Sequence, residues 1–437
     1  MKILNIDSVQ NSTNNSWRQD VGYFLQQSTK NNDKIIKVTQ DIIDDIKENG
    51  DSSLINYCNK FDETGFDNIS QILVTDDEIK DAKSQIDENL QQALHHSYKR
   101  IESYHKKQLP QNILYDDDAG LTLGNKWQSL KKVGVYAPGG SASYPSSVLM
   151  SAVPAIVAGV DEISLFTPAK NNIINPAILY AASLCNIKKI YKVGGAQAIA
   201  AMAYGTNIID KVDKIVGPGN SYVAMAKKLV FGDVGIDMIA GPTDLTIIAE
   251  SKHAKAAWVA ADALSQLEHG EDSKVFIITD DYQFSCQIID EIEHLSKQLD
   301  RKKIIQSSLK KSAIFVINNI KDAALISNFI APEHLEIISQ YEDIILKNIT
   351  NAGAIFLGNY SPEAIGDYIA GPSHTLPTEG TARFSSGLSV FDFLKRISII
   401  KCPKESFNKI SNFAALIAKN EGLDAHKLSL TIRNDEI

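Results

Sequence analysis

Apolar residues in this chain follow two periods, and the change from one to the other divides it. Ile35, Val38, Ile42, Ile43 and Ile46 fall on one helical face, and Gly50 stops that helix. A second helical stretch is predicted from about residue 77 to 107, closing near Pro110. From Lys132 onward, short β-branched runs alternate with alanine-rich segments. This pattern predicts strands at Val133–Tyr136, Glu162–Phe166, Lys189–Val193 and Lys214–Val216. Helices are expected between them at Ser146–Ala158, Pro176–Leu184 and Ala196–Tyr204. The alternation resumes after Asp237, with helices at Ala254–Glu268 and Phe284–Leu299. The strands there are Val275–Thr279, Ala313–Ile317 and Ala354–Leu357. Repeated alternation of this kind implies parallel sheets covered by helices. Beyond Leu388 the chain reads as helix-rich. The first 30 residues read as polar, with Asn11–Ser16 a flexible or docking arm.

Composition narrows the functional classes. The chain has 437 residues, enough for two or three domains, and 44% of them are hydrophobic against 22% charged. A net charge of −9 argues against nucleic-acid or anionic-membrane partners, whose phosphates select basic surfaces. Four widely spaced cysteines form no CxxC pair, so neither a disulfide framework nor a thiolate metal site is expected, and the reducing cytoplasm is the expected compartment. The segment Met1–Asp7 lacks the apolar core of a signal peptide, and no apolar run reaches the roughly 18 residues of a membrane span.

Candidate chemistry gathers in turn-rich places. Of nine histidines, His269, His334 and His374 lie in segments framed by Gly or Pro beside acidic or amide residues, and His426 stands near the C-terminus. Gln266 and His269 are three apart at the end of a predicted helix, which puts both tips on one face; a helix-terminal His beside the dipole is the plainer reading. Glu333-His334 follows Pro332 and opens a turn or short strand. An acid beside an imidazole is suited to proton abstraction, although an exposed pair is also common. Asp367 in Gly-Asp-Tyr and His374 in Gly-Pro-Ser-His complete a mixed N/O set that Zn²⁺ tolerates, as does Mn²⁺. Three glycine turns, at Tyr136–Gly140, Gly194–Ala198 and Gly217–Tyr222, each follow a strand. Singly they are tight βα turns; together they suggest an anion-binding domain, without specifying nicotinamide.

The wording of these motifs resembles the histidinol dehydrogenase family. The resemblance is carried by Val133-Gly-Val-Tyr-Ala-Pro-Gly-Gly140, Val193-Gly-Gly-Ala-Gln-Ala-Ile199 and Val216-Gly-Pro-Gly-Asn220. It continues through Asp237-Met-Ile-Ala-Gly-Pro242, Ser265-Gln-Leu-Glu-His-Gly270, Ala331-Pro-Glu-His-Leu-Glu336, Gly366–Thr378 and Gly380–Ser389. Together these span roughly residues 33–430 in the family's motif order. The resemblance implies oxidation of L-histidinol to L-histidine, the last step of histidine biosynthesis, through a bound aldehyde, with NAD and one zinc per subunit. It implies Gln266, His269, Asp367 and His426 as metal ligands and Glu333 and His334 as the catalytic acid/base pair. It implies Thr243, His374 and Glu421 as substrate contacts, shared with the metal ligands and His334, and Tyr136, Gln197 and Asn220 as cofactor contacts. Two positions depart from the family's usual wording: Thr243-Asp244 stands in place of Ser-Glu, and Ser373 in place of Asn.

The implied fold class is α/β, with two incomplete Rossmann-like parallel-sheet domains and helical N- and C-terminal extensions. The expected divisions are an arm at 1–29, a discontinuous first domain at 30–132 and 244–387, an NAD-binding domain at 133–243, and a helical tail at 388–437. That tail is expected to swap within a homodimer whose active sites are shared between subunits. The rival readings are a paralogue oxidising another polar alcohol such as a sulfonated diol, a metal-dependent hydrolase, and a non-catalytic metal-binding module.

Overall fold

The protein was analysed as a computed structural model, which describes residues 1–6, 9, 16–26, 32–139 and 144–434. Most of the Asn11–Ser16 arm and Gly140 lie outside the described residues.

The chain opens with β1 (Lys2–Ile6) and the helices α1 (Ser16–Leu25), α2 (Asn32–Asn49), α3 (Asp51–Asp62), α4 (Asp76–Ser84) and α5 (Glu88–Lys106). An antiparallel hairpin follows, β2 (Ile113–Asp116) and β3 (Thr122–Ser129). A regular β/α block comes next: β4 (Lys132–Tyr136), α6 (Pro145–Ala158), β5 (Glu162–Phe166), α7 (Pro176–Leu184), β6 (Lys189–Tyr191), α8 (Gly195–Tyr204), β7 (Lys214–Val216), α9 (Ser221–Val230) and β8 (Gly235–Ile236). A second block runs through β9 (Asp244–Ala249), α10 (Ala256–Leu267), β10 (Lys274–Thr279), α11 (Tyr282–Ser296), α12 (Lys302–Leu309), β11 (Ala313–Ile317) and α13 (Ala323–Ile330). It ends with β12 (His334–Ile338), α14 (Glu342–Asn348), β13 (Ala354–Leu357) and α15 (Glu363–Tyr368). The chain finishes with β14 (Leu394–Lys401), α16 (Lys404–Asn420) and α17 (Asp424–Thr431).

Two parallel sheets result, as the alternation predicts. One has five strands in the order β6-β5-β4-β7-β8, the other six in the order β1-β11-β10-β9-β12-β13. Their central strands are buried on both faces and are apolar almost throughout, as parallel sheets require. In the five-stranded sheet the strand order reverses between β4 and β7. A reversal of this kind leaves a crevice at the carboxyl ends of the strands, because the two connections leave in opposite directions.

Three expectations are corrected. The N-terminal segment is not merely a polar arm: β1 pairs with β11 in parallel, and Trp17, Val21 and Phe24 of α1 are buried beside Phe315 and Phe329. Those three residues sit at i, i+4 and i+7, one helical face, which the polar run between 11 and 16 obscured. Second, α2–α5 lie chiefly against the other sheet, and among the described residues only α5 reaches the 244–387 block by hydrogen bonds, its Ser97 and Arg100 donating to the Tyr368 and Ile369 carbonyls. Helix α2 packs on α8 and α9, while α4 and α5 pack on α7 and α6, so residues 32–106 cover the five-stranded sheet. Third, the C-terminal tail is not wholly helical, because β14 pairs antiparallel with β3 along eight residues, Leu394 to Lys401. Alternation on β14 is weak, since its residues are almost all exposed.

No helix among the described residues is long and apolar enough to cross a membrane.

Candidate active site and cofactor cleft

Both ends of β12 matter, but the amino end carries the chemistry. Ala331 takes a left-handed conformation (φ 54°) that ends α13, and Pro332 cannot extend a helix, so the chain turns sharply and enters β12 at His334. Glu333 and His334 are therefore buried at the mouth of a central strand, beside the start of β9. The backbones of Asp244 and Glu333 are clasped: Asp244 N–H donates to Glu333 Oε2, and Glu333 N–H donates to Asp244 Oδ2, each at 3.3 Å. At the opposite end, Glu250 accepts from the Ser339 hydroxyl and from the Gln340 backbone and side-chain amides, so that carboxylate is already satisfied.

A polar chain leads from Glu333 to α10. The Gln266 amide donates to Thr243 Oγ1 at 2.8 Å, and the Thr243 hydroxyl bonds the Glu333 carboxyl. The hydroxyl is the feature this position shares with Ser, so the change to Thr preserves the link. Gln266 is fully buried, yet its Oε1 has no hydrogen-bond partner. One turn later, His269 Nδ1 donates to the Ser265 carbonyl at 2.9 Å, which fixes the ring and leaves Nε2 as the nitrogen with a lone pair.

Helix α15 supplies Asp367. Its Oδ1 lies 3.9 Å from His334 Nε2. Gly366 has no side chain, and a Cβ there would collide with the Phe356 ring, which packs against the His334 ring with centroids 6.1 Å apart. His374 Nδ1 donates to the Asp367 carbonyl at 3.1 Å, and its Nε2 lies 3.4 Å from Ser147 Oγ. Ser373 anchors this loop by donating to the Met150 carbonyl and accepting from Thr375 N–H, so the hydroxyl does useful work where the family more often has Asn.

Burial sets the electrostatics. It pushes His334 down to about 4, so the ring is neutral at neutral pH, and it lowers His374 as well. It drives Glu333 well above the usual carboxyl range and Asp244 up to about 7. Asp367 and His269 both act electrostatically on His334 and on His374, which places the four side chains in one neighbourhood.

The sequence missed one member of this group. Glu363, at the start of α15, is buried with Oε1 3.4 Å from His334 Nδ1. Ligand atoms of His334, Glu363 and Asp367 all lie within 4.8 Å of one another and could hold a metal ion. The donor types expected for zinc also fit: Gln266 has an orphaned buried oxygen, His269 has a free Nε2 braced by a carbonyl, and Asp367 supplies a carboxylate close by. His426 and Glu421 do not join them. Both are exposed, Glu421 just after the end of α16 and His426 on α17, and among the described residues neither takes part in the hydrogen bonds or ion pairs of this site.

Tyr136, Gln197 and Asn220 line a second cleft, with Phe61, Asp62, Pro168, Lys170, Gly195 and Tyr222. It lies at the carboxyl ends of β4–β7, across the reversal in strand order. Gly195 N–H donates to the Tyr136 hydroxyl at 3.1 Å. Gln197 is buried with its Oε1 unpartnered, and Asn220 uses its Oδ1 to cap α9 through the Tyr222 and Val223 amides. Gly217 has φ +114°, and a Cβ there would strike the Tyr136 carbonyl, so the turn requires glycine. Asp62 and Phe61, which come from α3, were not singled out in the sequence because they lie far upstream of the first glycine turn, which begins at Tyr136.

The chain is similar along its length to known proteins. The family model described as histidinol dehydrogenase matches residues 25–434. A histidinol dehydrogenase of Clostridium acetobutylicum is 48% identical over 406 residues, covering 92% of this chain and 93% of its own. One of Agrobacterium fabrum is 45% identical over 418 residues, covering 95% and 96%. The crystal structure of histidinol dehydrogenase from Elizabethkingia anophelis superposes with a TM-score of 0.93 at 37% identity, covering 100% of this chain and 98% of that one.

Proposed function

The chain belongs to the histidinol dehydrogenase family, and on that premise we propose that it converts L-histidinol to L-histidine by a four-electron, NAD-dependent and zinc-dependent oxidation, closing histidine biosynthesis. The observation that carries this reading is the buried Glu333–His334 pair. Both His334 nitrogens lack hydrogen-bond partners, and Asp367 and the Gln266–Thr243 chain stand beside them.

Zinc, held by Gln266, His269 and Asp367 with His426 as the fourth ligand, would orient the amine and imidazole nitrogens of the substrate and polarise its alcohol. The cleft of Tyr136, Gln197 and Asn220 would bind two NAD⁺ molecules in succession, each supplying the acceptor for one hydride. The protein's own contribution is proton handling and exclusion of water. His334 is neutral because it is buried, so it presents a lone pair for the proton of the alcohol. Glu333 takes a proton from the water that adds to the aldehyde. Its raised affinity for protons makes it a stronger base than a solvated carboxylate whenever it is ionised. A closed pocket keeps the aldehyde from side reactions. The carboxyl groups of Asp244, Glu333, Glu336, Glu363 and Asp367 crowd the site, and this surplus of acids favours a cation, either the metal or the protonated substrate.

We place the fourth ligand and Glu421 in a partner subunit, so that the enzyme is a homodimer with shared sites. Support comes from α16 and α17, where Phe413, Leu416, Ile417, Leu428 and Ile432 are exposed on a tail that leaves its own site. A cytoplasmic setting suits the four free thiols. The direct test is a substrate panel. Zinc-loaded protein should form NADH from L-histidinol and not from a sulfonated diol, and it should leave a phosphate ester intact. NADH from the diol alone would point to the paralogue, and ester cleavage without NAD binding to a hydrolase.

A further inference from the structure

The residues expected to act on the substrate do not explain how the His334 ring is held. A neutral imidazole carries one N–H, and the acceptor at one ring nitrogen decides which of the two keeps its lone pair. Glu363 and Asp367 are four residues apart on α15, hence on one face. That face straddles the ring: Glu363 Oε1 is 3.4 Å from Nδ1, and Asp367 Oδ1 is 3.9 Å from Nε2. Glu333 Oε2 also lies 3.9 Å from Nδ1, but it is engaged with the Asp244 N–H and is the more distant of the two carboxyls. We propose that Glu363 is a positioning residue, whose carboxyl holds the Nδ1 edge of His334 and leaves the Nε2 lone pair facing Asp367 and the reacting hydroxyl.

Three further observations support this. Glu363 is 2% exposed, a costly place for a carboxyl that has no task. Its Oε2 has no hydrogen-bond partner, so the group is not there to satisfy neighbouring structure. Its backbone is anchored instead, with Glu363 N–H donating to Glu336 Oε1 at 2.7 Å, and Glu336 in turn bonded to Asp262. A 3.4 Å separation is long for a hydrogen bond, but such bonds are often long before substrate binds and tighten in the complex.

This inference rests on His334 being the base, so the experiment includes both residues. Full-length, zinc-loaded Glu363→Gln, Glu363→Asp and His334→Gln enzymes are compared for kcat, KM for L-histidinol, NAD⁺ affinity and zinc content. Glu363→Gln should lower kcat about 100-fold, within the range of general acid–base contributions, while KM, NAD⁺ affinity and zinc content stay within about twofold of wild type. Glu363→Asp, which keeps the acid but withdraws it by one methylene, should fall between the two; if Gln does not fold, a kcat about tenfold low in Asp carries the same meaning. Wild-type kcat in either Glu363 variant would overturn the inference, as would loss of zinc, which would make Glu363 a ligand instead. Wild-type turnover in His334→Gln would overturn the base assignment itself. Loss of turnover there, with Glu363→Gln unaffected, would refute only the positioning role.

Discussion

Glu333 and Asp244 hold each other through their backbones, each side chain accepting the other's N–H at 3.3 Å across the gap between β12 and β9. This clasp joins the acid of the proposed catalytic pair to the segment that brings Thr243 in from the five-stranded sheet. Asp244→Ala keeps the backbone N–H that donates to the Glu333 carboxyl but leaves the buried Glu333 N–H without an acceptor, at a cost of about 1–3 kcal/mol in stability, and should lower turnover at least about tenfold by loosening the backbone that carries Glu333. Asp244→Asn keeps the acceptor and should lose much less of both. Chemical denaturation and steady-state rates on the two variants check this; equal losses would mean that the charge, not the clasp, matters.

A second tie secures the cofactor turn. Lys227 and Asp237 form a fully buried ion pair; Asp237 Oδ2 accepts from Gly217 N–H at 2.8 Å and Lys227 donates to the Gly217 carbonyl at 3.0 Å. Removing one partner strands the other charge, so Lys227→Met and Asp237→Leu should each cost about 3–5 kcal/mol, whereas the double variant should cost less than their sum. NAD⁺ affinity should fall in all three because the 217–220 turn loosens. Additive stability losses would show that the two side chains do not act as a pair.

Metal content reports on α10. His269→Ala and Gln266→Leu should each lower bound zinc by tenfold or more at limiting free metal, the first by removing a ligand and the second by removing an oxygen that has no other partner. Elemental analysis after gel filtration measures this. Full zinc content in both would direct attention to His334, Glu363 and Asp367 as the metal group.

Shared sites can be tested by mixing. Inactive Glu333→Gln and inactive His426→Ala subunits, exchanged into heterodimers, should regain about a quarter of wild-type activity if half the mixed population is heterodimeric and one of its two sites is intact. No recovery with exchange proven by differential tagging would put Glu333 and His426 on the same site of one chain.

Acid stability has a separate origin. His105 in α5 is fully buried, bonds Gln108 through Nδ1, and burial lowers its affinity for protons. Its folded value therefore lies below its unfolded one. The unfolded chain binds the proton first, so this contribution is complete above about pH 6.5 and is lost as pH falls toward the folded value. His105→Gln should flatten the fall in melting temperature below about pH 6.5 relative to wild type. Parallel curves would remove His105 from the account.

Much of this architecture is legible in the residues. Alternation located most strands of both sheets but not β1, β8 or β9, and Pro332 with Glu333-His334 marked the entry to β12. Three weak glycine turns, each ambiguous alone, converge on one cleft because they end neighbouring strands. What periodicity could not show is which surface a helix covers. Helix α2 displays a clear apolar face through Ile42, Ile43 and Ile46, yet nothing in its spacing says that this face meets α8 rather than the six-stranded sheet. Glu363 was missed because an acid in the first turn of a helix after proline has an ordinary explanation in the helix dipole. His426 and Glu421 have motif support but no place in one chain's own site.

On the proposed mechanism, one pocket carries a substrate through two successive oxidations. With L-histidinol limiting and NAD⁺ in excess, NADH formed per alcohol consumed measures this directly, before chelation, after it, and after zinc is restored. Two NADH per L-histidinol are expected with no free aldehyde, abolished by chelation and recovered with zinc. A ratio of one with aldehyde released, or turnover indifferent to chelation, would contradict this mechanism.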